Sequence, residues 1–261
     1  MYILFIGDIV GAPGREAVKK ILPGLQKEYA LDFVVANAEN VAGGSGITQK
    51  TAEDLFSSGV DVLTSGDNIW KRPEIFELIE REERILRPAN FPAACPGRGY
   101  AVYKARNGSA VGVVNINGRV FMPALDCPFH SALHACEELR KKTRVVLVDV
   151  HAEATSEKAA LGWHLDGKAS AVIGTHTHIQ TADERMLPQG AAYLTDAGMT
   201  GPYDSVIGRR VEDVLARFLT AMPVKFEVAK ENTWLCAALI EVDGQSGRAE
   251  SIQRIQRRLD S

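Results

Sequence analysis

Short apolar runs that each hand over to a polar side chain set the limits on what this chain can fold into. Tyr2–Ile6 leads to Asp8, residues 33–36 to Glu39 and Asn40, and Val62–Thr64 to Asp67 and Asn68. Residues 145–150 lead to His151, and residues 171–173 to His176 and His178. Runs of this length, bounded by glycine and turn residues, predict short buried strands. Helical stretches are expected between them: from Arg15 (with Pro23 disturbing it), after an N-capping Thr48 through Ser57, over residues 74–81 behind Pro73, and over residues 131–141, 156–164 and 211–219. Strands alternating with helices make an α/β chain, and ligands in α/β sheets bind beyond the carboxyl ends of the strands.

Other stretches are read more simply. Gly11-Ala12-Pro13-Gly14 is expected as loop, residues 87–99 as a long surface loop, and residues 111–116 with 119–121 as a hairpin around Asn117-Gly118. Residues 234–242 and 249–255 flank Asp243-Gly244 as a closing antiparallel pair. Gly43-Gly44-Ser45-Gly46 could bring backbone N–H groups to a phosphate. It lacks the spacing of a Walker loop, and a plain connector explains it as well.

Composition narrows the function classes. The chain has 261 residues, 46% of them hydrophobic, enough for a core without covalent staples; one domain over residues 1–261 is expected. A net charge of -3 and the lack of a long basic run argue against duplex nucleic acid as a partner. Cys95, Cys127, Cys136 and Cys236 form no CxxC pair, which disfavours a cysteine zinc knuckle and suits a reducing cytoplasm. The apolar start is too short for a signal segment or a membrane span.

The chemistry gathers at Gly174-Thr175-His176-Thr177-His178. At a strand end, residues i and i+2 point the same way, so both imidazoles are expected to face one point. With Asp8, Glu39, Asn40, Asp67 and His151 they supply enough nitrogen and oxygen ligands for two divalent ions, with Glu39 the candidate bridge. Such a thiolate-free donor set suits Fe, Mn, Zn, Co or Ni. Two ions roughly 3.5–4 Å apart can clamp a phosphoryl oxygen and hold a hydroxide in line for attack.

Secondary candidates are Asp196, which either orients a ligand histidine or caps its own turn, and Glu153 with Thr155, placed to fix the loop after His151. Arg15 is expected to be a solvated surface residue rather than a phosphate contact, and Trp70 a core residue rather than a base-stacking platform. His130, His134 and His164 have no metal-like neighbours in sequence.

In order, the chain carries Gly7-Asp8-Ile9-Val10-Gly11, Ala38-Glu39-Asn40, Gly66-Asp67-Asn68, the stretch from Asp149 to Lys158, Gly174-Thr175-His176-Thr177-His178 and the stretch from Thr195 to Pro202. This set resembles the calcineurin-like metallophosphoesterases, and among them the bacterial YmdB-type family. The resemblance implies a four-layer αββα sandwich and a metal-dependent phosphoric diester hydrolase that acts on 2′,3′-cyclic nucleotides. It implies two divalent or trivalent ions, Fe or Mn before Zn, and is compatible with a homo-oligomer. Asp8, Glu39, Asn40 and His178 would hold one ion, and Glu39, Asp67, His151 and His176 the other. The family usually has Asn then His where this chain has Asp67 then Asn68. The histidine there protonates the departing oxygen, which an amide cannot do. The alternative to a working enzyme is therefore a metal-binding regulatory protein with weak turnover. An amidohydrolase barrel also uses His-x-His, but usually on its first strand.

Overall fold

The computed structural model describes residues 1–260; of the expected domain, Ser261 lies outside the described residues. Its strands are β1 (Tyr2–Ile6), β2 (Asp8–Ile9), β3 (Phe33–Asn37), β4 (Val62–Thr64), β5 (Tyr100–Lys104), β6 (Ala110–Asn117) and β7 (Val145–His151). They continue with β8 (Ala171–Thr175), β9 (Arg185–Met186), β10 (Ala192–Leu194), β11 (Met199–Pro202), β12 (Thr233–Val242) and β13 (Ala249–Arg258). The α-helices are α1 (Gly11–Glu28), α2 (Gln49–Ser57), α3 (Ile75–Arg81), α4 (Pro128–Arg140), α5 (Thr155–Leu165) and α6 (Val211–Thr220).

The strands form two sheets. The first runs β2-β11-β12-β1-β3-β4, with β13 also on β12; the second runs β5-β6-β7-β8-β10-β9. Strands β1, β3 and β4 are parallel to one another, as are β6, β7, β8 and β10. Parallel neighbours need crossovers, which α1, α2, α4 and α5 supply, and this puts helices on the outer faces.

Side-chain alternation builds the four layers. On β1 and β3, Leu4, Ile6, Val34 and Ala36 pack outward against Val18 and Leu22 of α1 and Leu55 of α2. Their neighbours Ile3, Phe5, Phe33 and Val35 face inward, against Val111, Val113, Leu147 and Ile173 of the second sheet. The other face of that sheet, with Val146, Val148 and Val172, meets Ala132 and Leu139 of α4 and Leu161 of α5. Each fully buried Val, Leu or Ile contributes roughly 1.5–3 kcal/mol, so uninterrupted apolar runs are what a sheet covered on both faces demands. The expected αββα sandwich is the fold.

Several local expectations are corrected. Gly11-Ala12-Pro13-Gly14 is the first turn of α1, not loop. Pro13 fits there because first-turn amides have no intrahelical acceptor, and Gly14 lies so close to the Thr200 carbonyl that a Cβ would collide with it. Pro23 does not interrupt α1. Strand β6 forms no hairpin with residues 119–121. Its antiparallel partner is β5, across a turn in which Ala105 N donates to Ser109 O at 2.8 Å, and its other edge is taken by β7. The chain after Gly118 instead turns onto Glu157, whose carboxylate accepts from Arg119 N and Val120 N at 3.2 Å. Within residues 87–99, Arg87 and Asn90 are buried, and Asn90 Nδ2 donates to Asn117 O at 2.8 Å, so this loop is tied into the body rather than lying over it. The closing pair is β12 and β13, with β12 inserted beside β1.

Candidate metal centre

The parallel runs of the two sheets end at one place. Asp8 sits on the short strand β2, Glu39 and Asn40 follow β3, and Asp67 follows β4, so the first sheet delivers oxygen donors. His151 closes β7, and His176 and His178 follow β8, so the second sheet delivers imidazoles. Glu39, Asp67, His151 and His176 each place one donor atom within 4.8 Å of the others. His151 Nε2 is 3.2 Å from Glu39 Oε2, 3.5 Å from Asp67 Oδ1 and 3.0 Å from His176 Nδ1. Beside this group, His178 Nε2 lies 3.2 Å from Asn40 Nδ2 and 3.8 Å from Asp8 Oδ1, and Asn40 Nδ2 is 3.0 Å from Glu39 Oε1. The seven candidate ligands, Asp8, Glu39, Asn40, Asp67, His151, His176 and His178, thus lie together.

The two histidines arrive by a different route from the one expected. Strand β8 ends at Thr175, and His176 and His178 have φ of 96° and 65°. Left-handed backbone at non-glycine residues costs roughly 1–3 kcal/mol each and persists only where surroundings enforce it. The enforcement is Asp196, which is fully buried. Its Oδ2 accepts from Thr177 N at 3.1 Å, Thr177 Oγ1 at 2.7 Å and the buried Lys158 Nζ at 2.7 Å. Asp196 therefore pins the residue between the histidines and contacts neither ring. The rings serve neighbouring positions rather than one point: His176 joins His151, and His178 joins Asn40 and Asp8.

Hydrogen bonds select the tautomers. Thr175 Oγ1 donates to Asp149 Oδ1 at 2.7 Å, so the same oxygen accepts from His151 Nδ1 at 2.9 Å and leaves Nε2 facing the cluster. The Ile207 carbonyl accepts from His178 Nδ1 at 3.0 Å, which frees Nε2 in the same way. Asp149 completes a buried network with Thr64 and Asn37, and burial pushes its carboxyl up to about 6. Burial also raises Asp8, more than the nearby His178 and His151 lower it. Burial would raise Glu39 as well, but His151 and the Asn68 donors outweigh it and hold that carboxyl at about 2. His151 is drawn well above its ordinary value, against burial, by Glu39, Asp67 and Asp8. Burial and the neighbouring His151 keep His176 low, which favours the neutral, ligating ring.

The donors fit a cation. Asp8 Oδ1 and Asp67 Oδ1 are shielded from solvent yet accept no hydrogen bond. An unsatisfied buried carboxylate oxygen is costly, and a metal ion resolves that cost. Gly66 leaves the room for it, since a Cβ there would run into His151 and Glu39.

Asn68 turns inward. Its backbone N–H donates to Glu39 Oε2 at 3.1 Å, and its Nδ2 donates to Glu39 Oε1 at 3.0 Å and Asn40 Oδ1 at 3.3 Å. Glu153 lies against His176, with Oε2 3.2 Å from Nε2. Arg15 is spent on the Val41 carbonyl at 2.7 Å and lies 3.4 Å from Asp54, while Trp70 stacks on Phe76 at 5.4 Å. His130, His134 and His164 are exposed. The centre opens into a pocket of about 600 Å³. It is lined by Glu39, Asn40, Asn68, His176 and His178, and also by Arg209, Arg217, Phe218 and Phe226, which no motif in the sequence marks. Among the described residues, no helix is long and apolar enough to cross a membrane.

Known proteins share this architecture. A 2′,3′-cyclic-nucleotide 2′-phosphodiesterase of Bacillus subtilis (strain 168) is 49% identical over 255 residues, which are 98% of this chain and 96% of that protein. A crystal structure of a hypothetical protein from Thermus thermophilus matches with a TM-score of 0.93 at 43% identity, covering 99% of both chains. The crystal structure of a Mycoplasma pneumoniae phosphatase matches with a TM-score of 0.92 at 31% identity, covering 99% of this chain and 93% of the other. The family model for YmdB-like proteins matches residues 4–255. The motifs, the two-sheet fold and these matches agree, and the chain belongs to the YmdB-like protein family.

Proposed function

We propose that this protein is a metal-dependent phosphodiesterase that hydrolyses small phosphodiesters, with 2′,3′-cyclic nucleotides as its substrate class. The observation that carries the reading is the convergence of Glu39, Asp67, His151 and His176 within 4.8 Å, with Asp8, Asn40 and His178 packed against them. The substrate class is supported by the name of the Bacillus subtilis relative.

Asp8, Glu39, Asn40 and His178 would hold one ion and Glu39, Asp67, His151 and His176 the second, with Glu39 shared. Iron or manganese suits this mixed nitrogen and oxygen set, and zinc is the alternative. Ions held there would supply positive charge for the phosphoryl oxygens and a nucleophilic water near neutral pH. The chain's own work is orientation. Asn68 aims both oxygens of Glu39, Thr175 and Ile207 fix the ring nitrogens that face the site, and Asp196 holds the turn between His176 and His178. Asn68 has no proton to give at neutral pH, so the departing oxygen takes its proton from water. Turnover of poor leaving groups is then slow, and activated aryl diesters are less affected.

The inward turn of Asn68 also favours a second reading, a metal-binding regulatory protein with weak turnover. The test is elemental analysis of the purified protein together with assays on bis(p-nitrophenyl) phosphate and 2′,3′-cyclic nucleotides. Bound metal with hydrolysis of both, the aryl diester faster, is the expected result. Bound metal with no hydrolysis of either supports the regulatory reading, and protein that binds no metal overturns both.

A further inference from the structure

The pocket is lined by positive charge that the candidate metal ligands do not account for. A phosphodiester arrives as an anion, yet the carboxylates of Asp8, Glu39, Asp67 and Glu153 crowd the side it must approach. The guanidinium groups lining the pocket belong to Arg209 and Arg217. Arg217 is exposed, so solvent screens its charge. Arg209 is half-buried, and burial depresses its pKa; among the described residues it forms no ion pair with a carboxylate. A partly desolvated guanidinium without a counter-charge is an anion site, since its planar fork matches phosphate oxygens.

The glycine-rich turn explains how Arg209 comes to sit there. Arg209 donates to the Gly44 carbonyl. Gly44 has a φ of +89°, and a Cβ at that position would collide with the guanidinium. The glycine-rich turn thus seats two arginines: Gly44 takes Arg209, while Gly43 and Gly46 abut Arg72, whose Nη2 donates to the Ala42 carbonyl at 2.6 Å.

We infer that Arg209, seated on the Gly44 turn, binds a phosphoryl oxygen of the substrate in the pocket that it lines together with the candidate metal ligands. This rests on the phosphodiesterase reading above. A charge-assisted hydrogen bond contributes about 1.5–3 kcal/mol, so its loss costs about tenfold or more in affinity. Replacing the guanidinium by the uncharged Arg209→Met side chain raises KM for bis(p-nitrophenyl) phosphate, and the inhibition constant of inorganic phosphate, by about that factor. It also flattens the rise of KM with salt, which a lone structural role would leave unchanged. Arg209→Lys keeps the charge without the fork and falls between the two. Gly44→Ala displaces the guanidinium while leaving Arg209 in the chain, and moves KM in the same direction. Metal content is measured on every variant, so that lost metal is not mistaken for lost substrate binding.

A wild-type protein that holds metal but hydrolyses nothing overturns the phosphodiesterase reading. A working wild type whose KM and phosphate inhibition stay within about twofold in Arg209→Met overturns this inference alone. Should Arg209→Met not fold, Arg209→Lys and Gly44→Ala decide by the same criterion.

Discussion

The two sides of the metal centre are positioned by different means. On the first sheet the carboxylates are aimed by neighbouring amides: His176 N donates to Asp8 Oδ2 at 3.0 Å, and Asn68 N to Glu39 Oε2 at 3.1 Å. On the second sheet the imidazoles are aimed largely by buried side chains. Thr175 and Asp149 stand behind His151, and Asp196 and Lys158 behind the turn that carries His176 and His178. A carboxylate has two oxygens and tolerates some rotation. An imidazole has one free nitrogen and must be held in both tautomer and plane, so it needs a partner at its far side. The oxygen side should therefore be sensitive mainly to loss of the ligands, and the nitrogen side also to loss of residues that never touch metal or substrate.

The largest effect falls on the shared ligand. Glu39→Gln removes the charge that both proposed ion positions would use, and several kcal/mol of transition-state stabilisation are expected to go with it, at least about 10³-fold in rate on bis(p-nitrophenyl) phosphate. Elemental analysis of the same variant should show reduced metal. Retained metal and rate would mean that Glu39 is not the link between the two sides.

Lys158→Met probes the support of the nitrogen side. Lys158 is 1% exposed and Asp196 0%, so the substitution strands a buried carboxylate and is expected to cost about 3–5 kcal/mol of stability. Thermal unfolding reads that loss. The result that would break the contrast is an unchanged melting temperature.

Thr175→Val is subtler. It keeps the shape of the side chain but removes the oxygen that accepts from His151 Nδ1 at 2.9 Å. Loss of such a supporting group typically costs 10–100-fold in metal affinity or activity, so a drop of about that size is expected in a metal titration. An affinity equal to wild type would show that packing alone orients the ring.

The oxygen side was more legible in the sequence than the nitrogen side, and the reason is local. Asp8, Glu39, Asn40 and Asp67 each follow an apolar run, so their place beyond a strand end follows from pattern. For the His-x-His pair the strand-end argument does not hold. Strand alternation predicted two rings facing one point, whereas a left-handed turn held by Asp196 sends them to neighbouring positions. Lys158, Thr175 and Asp149 lie far from Asp196, Asn37 and Thr64 in sequence, and only the packed sheets bring them together. The β5–β6 pairing was missed for a similar reason. Asn117-Gly118 has turn chemistry, but the edge a hairpin there would need is occupied by β7. Arg209 reaches the pocket from a loop whose course no local pattern fixes.

The smallest effect is predicted at Asn68, where the oxygen side meets the substrate. A histidine here could donate a proton to the leaving oxygen, and general acid catalysis is worth ~10²–10⁴ in rate where the geometry is good. The geometry is not free, however. Asn68 Nδ2 serves both Glu39 Oε1 and Asn40 Oδ1, and an imidazole that faces the leaving group gives up those contacts. The backbone N–H to Glu39 Oε2 survives the substitution. The net expectation for Asn68→His is therefore a gain of only about tenfold on 2′,3′-cyclic nucleotides, less than the full range for a well-placed acid. Bis(p-nitrophenyl) phosphate, whose aryl oxide leaves without a proton, should change little. The ratio of the two rates is the decisive quantity, because a general change in metal loading moves both together and only proton donation separates them. Equal rates on the cyclic nucleotide would show that water already protonates the leaving oxygen well enough, and that Asn68 is held at this place to aim Glu39.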